Sequence, residues 1–148
     1  MVLHELGAIS DKERDGAPTL TPVGRDIARI PVDPKMARML VEANRLGVLD
    51  DTTVIVAYMT IQDVRERPLE FQAQADQAHA RFKDPTSDFA SALKLWDYIN
   101  ESRDELSGNA FRTRMRREYL HYMRIREWYD LVRQLRDVEK QLLSLIHI

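Results

Sequence analysis

NAFRTRMRREYLHYMRIREWYDLVRQLRDVEKQL, residues 109–142, decides the reading of this chain because it joins the strongest helical signal to the only concentrated positive charge. Arg112, Arg114, Arg116, Arg117, Arg124, Arg126, Arg133, Arg136 and Lys140 stand there against Glu118, Glu127, Asp130, Asp137 and Glu139. Nine cations minus five carboxylates leave an excess of four, while the remaining thirteen Lys and Arg face nineteen Asp and Glu, so the net −2 conceals a division of charge. At about 100° per residue, Phe111, Met115, Tyr119, Tyr122 and Met123 share one helix face. Trp128, Leu131, Leu135, Val138 and Leu142 share a face nearly opposite. One straight helix cannot bury both stripes against one neighbour. The pattern therefore predicts two helices broken near residues 121–124, or one helix that changes partners there. Arg114 and Arg117 point away from the first apolar face. Two readings of the charge stay open: a core stripe with a solvated basic back, or an arginine face that tracks a nucleic-acid backbone, because guanidinium groups bind phosphate bidentately and release counterions.

The totals bound the answer. A chain of 148 residues suits one domain or slightly more, and 44% apolar with 31% charged residues is ordinary for a folded soluble protein. Cysteine is absent, which rules out disulfides and thiolate metal sites and agrees with a reducing, cytoplasmic setting. No apolar run approaches the roughly 20 residues that cross a bilayer, and MVLHEL lacks the basic and apolar regions of a signal peptide.

Working outward, Gly7 stops a short helical start. Residues 8–9 and 19–21 are expected to pair as a small β-hairpin around the polar turn DKERDGAP. Thr21-Pro22 opens a short helix that ends before Pro31, and Asp33-Pro34 opens another that ends at Gly47. TVIVAYMTI, residues 53–61, reads as a buried helix, since no other run is available to pair with it as a sheet. QDVRERP, residues 62–68, is a charged connection whose Arg65 and Arg67 are either solvated or phosphate contacts. Phe71, Ala75, Ala78 and Phe82 form a helical stripe, and DPTSD, residues 84–88, opens the helix expected to be most fully buried, with Phe89, Ala92, Leu93, Trp96 and Ile99 inward. Residues 100–109 are read as fraying helix and loop. The result is a mainly α protein of five to seven helices preceded by one hairpin.

Catalytic chemistry does not assemble. His4, His79, His121 and His147 are dispersed without metal-ligand spacing, and paired carboxylates such as Asp50-Asp51 fall where helix starts explain them. Neither GxxxxGK[ST] nor a strand followed by GxGxxG occurs. The chain alone is expected to hydrolyse nothing.

The order of segments resembles the accessory region of DEAH-box RNA helicases. LTPVGRDIARIPVDPKMARML (residues 20–40) is similar to the stretch joining their degenerate winged helix to a ratchet-like helical domain. MTIQDVRERP (59–68), RFKDPTSDFASALKLWDYI (81–99) and NAFRTRMRREYLHYMRIREWYDLVRQL (109–135) resemble successive parts of that domain, and REYLHYMRIREW (117–128) is nearest to bacterial HrpA-type ATP-dependent RNA helicases. Met123 departs from the wider pattern, which often has arginine there. The resemblance implies a helical bundle preceded by a partial winged helix: residues 1–33 would end the winged helix, 34–142 would form the helicase-associated domain, and 143–148 would be a non-native tail. LSLIHI, the last of these, resembles the translation of a transposon end used in sequencing libraries. The implied function is an accessory part of an ATP-dependent RNA helicase that grips single-stranded RNA, with Arg65, Arg67, Arg112, Arg116, Arg117, Arg124 and Arg126 as candidate contacts. ATP and Mg would belong to RecA-like motor domains of the parent protein; those motor domains and an oligonucleotide-binding-fold domain would be the partners, with no membrane involved. The alternative is a protein-interaction module whose basic face docks an acidic partner.

Overall fold

The first described helix, α1 (Pro34–Leu46), starts where the sequence places it. The Asp33 carboxylate accepts the Lys35 N–H at 2.8 Å, and Pro34 occupies the first turn, where its missing N–H costs nothing. Its end is equally local. Gly47 takes φ 77°, and the Val48 and Gly47 N–H groups close on the Ala43 and Asn44 carbonyls at 3.0 and 3.3 Å. A Cβ on Gly47 would meet nothing within 4 Å. Gly47→Ala is therefore expected to lose about 1 kcal/mol from left-handed backbone strain alone, read as a lower urea midpoint; an unchanged midpoint would mean the cap tolerates a side chain.

The computed structural model describes residues 9–14, 17–20 and 30–146, with side chains from residue 30 to residue 141. Strands β1 (Ile9–Arg14) and β2 (Ala17–Leu20) pair antiparallel, Ile9 opposite Leu20 and Arg14 opposite Ala17. Glu13 and Arg14, expected as turn, thus pair with Pro18 and Ala17, and the register is irregular between Ile9 and Glu13. The expected helices before Gly7 and after Pro22 lie outside the described residues. Then come α1, α2 (Leu49–Thr60), α3 (Gln72–His79) between 3₁₀ turns Leu69–Phe71 and Ala80–Phe82, α4 (Asp88–Glu105), α5 (Gly108–Arg117) and α6 (Tyr122–Ile146). The fold is mainly helical, as expected.

Two compact units divide the described residues, one holding those up to Val56 and from Leu131, the other Ala57–Asp130. In the first, Ala37, Leu40, Ala43, Val54, Val56, Val132 and Leu135 are buried, and so is one acid, Glu139. Thr53 Oγ1 lies 2.6 Å from Glu139 Oε1 and 2.8 Å from the Leu49 carbonyl. A hydroxyl has one hydrogen, which Thr53 gives to one of these two acceptors at a time. Burial raises the Glu139 carboxyl above its ordinary value, against smaller lowering by Thr53 and Arg136. A raised folded-state value stabilises below the unfolded value and loses that stabilisation as pH rises through the folded one. Glu139→Gln is thus expected to match the parent in acid and to become relatively more stable as pH rises above the ordinary glutamate range. Urea unfolding at several pH values checks this, and a constant difference would show that ionisation plays no part.

In the second unit an aromatic cluster forms the core. Trp128 lies 4.9 Å from Tyr58 and 4.7 Å from Trp96 between ring centroids. Several details differ from the pattern reading. In α4, Ala92, Trp96 and Ile99 are buried as expected, whereas Phe89 is 48% exposed and the inward face is extended by Leu95 and Ser102 instead. The polar run after residue 100 stays helical to Glu105, and Gly108 begins α5 under a Ser107 cap. The stripe through Phe71 and Phe82 is not one helix but a short α3 between two tighter turns, with Phe71 exposed.

Candidate nucleic-acid interface

The basic stretch bends at residues 118–121, where two apolar faces must turn toward different neighbours. Tyr119 adopts φ 57°, the left-handed region that glycine ordinarily occupies. Leu120 N–H closes on Met115 O at 2.9 Å and Tyr119 N–H on Arg116 O at 3.2 Å, ending α5, while Leu120 and Met115 are both buried. The strain is held from outside. Glu66 N–H donates to Tyr119 O at 2.8 Å and His121 N–H to Val64 O at 2.7 Å, so Arg65 and Leu120 form an antiparallel bridge. His79 Nε2 lies 3.0 Å from both the Glu118 and Tyr119 carbonyls. Carbonyls only accept, so Nε2 carries the hydrogen. His121 then caps α6 with its ring: Nδ1 accepts the Arg124 N–H at 3.3 Å, and Nε2 faces Glu66 Oε1 at 3.8 Å.

This bridge brings QDVRERP beside the basic helices, yet its own arginines are occupied. Arg65 grips Asp63 through Nε at 3.2 Å and Nη2 at 2.9 Å, and Asp63 also accepts from Tyr58 OH at 3.1 Å. Burial works to raise the Asp63 carboxyl, but the Arg65 bonds outweigh it and hold it below its ordinary value. Burial, with Asp63 nearby, pushes the Tyr58 phenol up to about 12, so it remains a donor. Arg67 grips Asp76 at 2.8 and 3.0 Å, and Arg124 donates Nη1 to the Asp63 carbonyl at 3.1 Å.

The helical arginines behave differently. Arg112 and Arg116, one turn apart on α5, line a pocket of about 310 Å³ with Glu66, Leu120, His121, Tyr122 and Met123. Arg114 and Arg117 line another of about 480 Å³, where Arg114 approaches Glu105 at 3.8 Å. Arg126 is exposed and lines neither. Of the seven candidate arginines, the structure therefore gathers Arg112 and Arg116, turns Arg117 to another side, and engages Arg65, Arg67 and Arg124 within the protein. Arg112, Arg116, Arg117 and Arg126 make no ion pair among the described residues. His79 and His121, read along the chain only as dispersed histidines, take roles the sequence did not announce, since a lone histidine gives no hint of the backbone groups it will meet.

The sequence pattern of the "Helicase associated domain (HA2), ratchet-like" matches residues 33–124. The chain belongs to this HA2 family. The match opens at the Asp33 cap of α1 and runs through the bend into the first turn of α6, so the HA2 pattern contains both pockets. Over 141 residues this HA2 chain is 46% identical to the ATP-dependent RNA helicase HrpA of Escherichia coli, covering 95% of the chain and 11% of that relative. It is 42% identical to the HrpA homolog of Haemophilus influenzae over 91% of the chain and 10% of the relative. With the pre-mRNA-splicing factor ATP-dependent RNA helicase prp22 of Schizosaccharomyces pombe the identity is 31%, over 97% and 11%. The HA2 chain thus spans about a tenth of the length of these curated relatives. Among its described residues no helix is long and apolar enough to cross a membrane, and no three His, Asp or Glu side chains gather to hold a metal.

Proposed function

We propose that this chain is an RNA-handling accessory region of an ATP-dependent DEAH-box RNA helicase of the HrpA type, gripping single-stranded RNA through the helical arginines and coupling it to motor domains elsewhere in the parent protein. The observation that carries this reading is the convergence of Arg112 and Arg116 on one pocket without a carboxylate partner among the described residues. Guanidinium groups not already spent on carboxylates are available to phosphate, whereas Arg65 and Arg67 would first have to leave Asp63 and Asp76. Family membership and identity to RNA helicases support the same reading. On it, residues 1–33 close a degenerate winged helix whose hairpin is the β1–β2 pair, 34–142 form the ratchet-like domain, and 143–148 are a non-native tail. ATP and Mg act in the motor domains of the parent, and the setting is cytoplasmic.

Such contacts are independent of base sequence and weaken with salt. Titrating a labelled single-stranded RNA with the 148-residue chain at two salt concentrations tests the reading. Affinity that falls as salt rises supports it; no binding, or binding indifferent to salt, would turn the basic face toward an acidic protein partner instead.

A further inference from the structure

The pocket at the start of α6 contains more than two arginines. The Arg112 guanidinium lies over the Tyr122 ring, its carbon 4.6 Å from the centroid, and the buried Phe111 meets Tyr122 edge-on at 6.2 Å. An exposed arginine normally samples many rotamers; one held on a backed aromatic face is already ordered before a ligand arrives. Arg116 follows one turn later on the same helix, and His121, Tyr122 and Met123 bring the N-terminal end of α6, with its partial positive charge, to the same place. One carboxylate, Glu66, also lines the pocket, and its Oε1 faces His121 Nε2 at 3.8 Å rather than either arginine. At about 310 Å³ the space is at the lower end for a bound small group, enough for a phosphate with its sugar.

We propose that this pocket seats one sugar-phosphate unit of single-stranded RNA, with Arg112 and Arg116 as its cationic ligands and Tyr122 as the positioning residue that holds Arg112 in place. The proposal rests on the RNA-grip reading above. It adds that Tyr122 matters through Arg112: the ring fixes the guanidinium, and the fixed guanidinium loses less freedom when phosphate binds. A flexible single strand can bend its backbone into such a concavity.

Fluorescence anisotropy with labelled oligouridine at low salt tests this on the full chain, with thermal melting followed for each variant. Tyr122→Phe keeps the ring and is expected to bind as the parent does. Tyr122→Leu removes it and is expected to bind about threefold more weakly, the size of an exposed cation–π contact. Because Tyr122 acts through Arg112, the double variant Tyr122→Leu with Arg112→Gln is expected to bind no more weakly than Arg112→Gln alone. Parent-like binding by Tyr122→Leu, or single effects that multiply in the double variant, would overturn the pocket while leaving the grip reading intact. A parent chain without salt-sensitive RNA affinity would overturn both, as would polyglutamate that competes as well as unlabelled RNA. Should Tyr122→Leu melt before binding can be read, Arg112→Lys decides in its place: weaker binding supports the held planar fork, and parent-like binding overturns it.

Discussion

Trp128→Ala is expected to lower the unfolding free energy by about 4 kcal/mol, the cost of removing a large aromatic side chain from a closed core. Trp128 has no exposed surface, and its indole is flanked by Tyr58 at 4.9 Å and Trp96 at 4.7 Å, with Trp96 in turn 4.7 Å from Tyr129. Deleting the central ring opens a cavity and strips both neighbours of their tilted ring contacts, each adding about 1 kcal/mol beyond burial. Whole helices cannot collapse into the space, because α4 and the bend before α6 are fixed by other contacts. Trp96 is anchored on a helix capped by Ser87, and Tyr129 is hydrogen-bonded to Asn100. Urea unfolding followed by circular dichroism measures the loss. Trp128→Phe is expected to lose less than half as much, and a Trp128→Ala midpoint near that of the parent would mean the ring cluster does not organise this unit.

Replacing Arg112, Arg116, Arg117 and Arg126 together by glutamine is expected to weaken single-stranded RNA binding about a hundredfold at low salt, taking roughly 0.7 kcal/mol for each exposed contact. The same change is expected to flatten the dependence of log affinity on log salt by about three, since each lost phosphate contact on a single strand removes about 0.7 from the slope. These side chains are exposed and make no ion pair among the described residues, so stability is expected to stay within about 0.5 kcal/mol of the parent. That separation makes the experiment decisive: weaker binding cannot be blamed on unfolding. Replacing Arg65 and Arg67 instead is expected to touch binding less, because their forks are filled by Asp63 and Asp76. An arginine quartet that leaves both affinity and slope unchanged would remove the basis for an RNA grip on α5 and α6.

Local signals and tertiary ones separate cleanly along this chain. Caps and breakers work within a few residues, so Asp33-Pro34, Gly47 and Ser87 act where the sequence places them, and the apolar run after Thr53 is a helix rather than a strand. The two faces of residues 109–142 likewise foretold a break, and it falls at 118–121, just ahead of the expected point, because Tyr119 accepts a left-handed conformation that nothing in its side chain announces. The family resemblance was also readable, carried by ordered segments from residue 20 to residue 135.

By itself the sequence determined the mainly helical class, the helix boundaries at Asp33-Pro34 and Gly47, the turn between the two basic helices and membership of the helicase-associated family, because each depends on neighbours within a turn or on the wording of whole segments. Only the tertiary structure decided which guanidinium groups are available. Arg65 has Asp63 two residues before it and Arg67 has Asp76 nine residues on, but only the fold closes those carboxylates on the two guanidinium groups and sets an aromatic ring and an open pocket beside Arg112 and Arg116. Charge is a property of a residue; whether that charge is already spent is a property of what folding brings within about 4 Å of it.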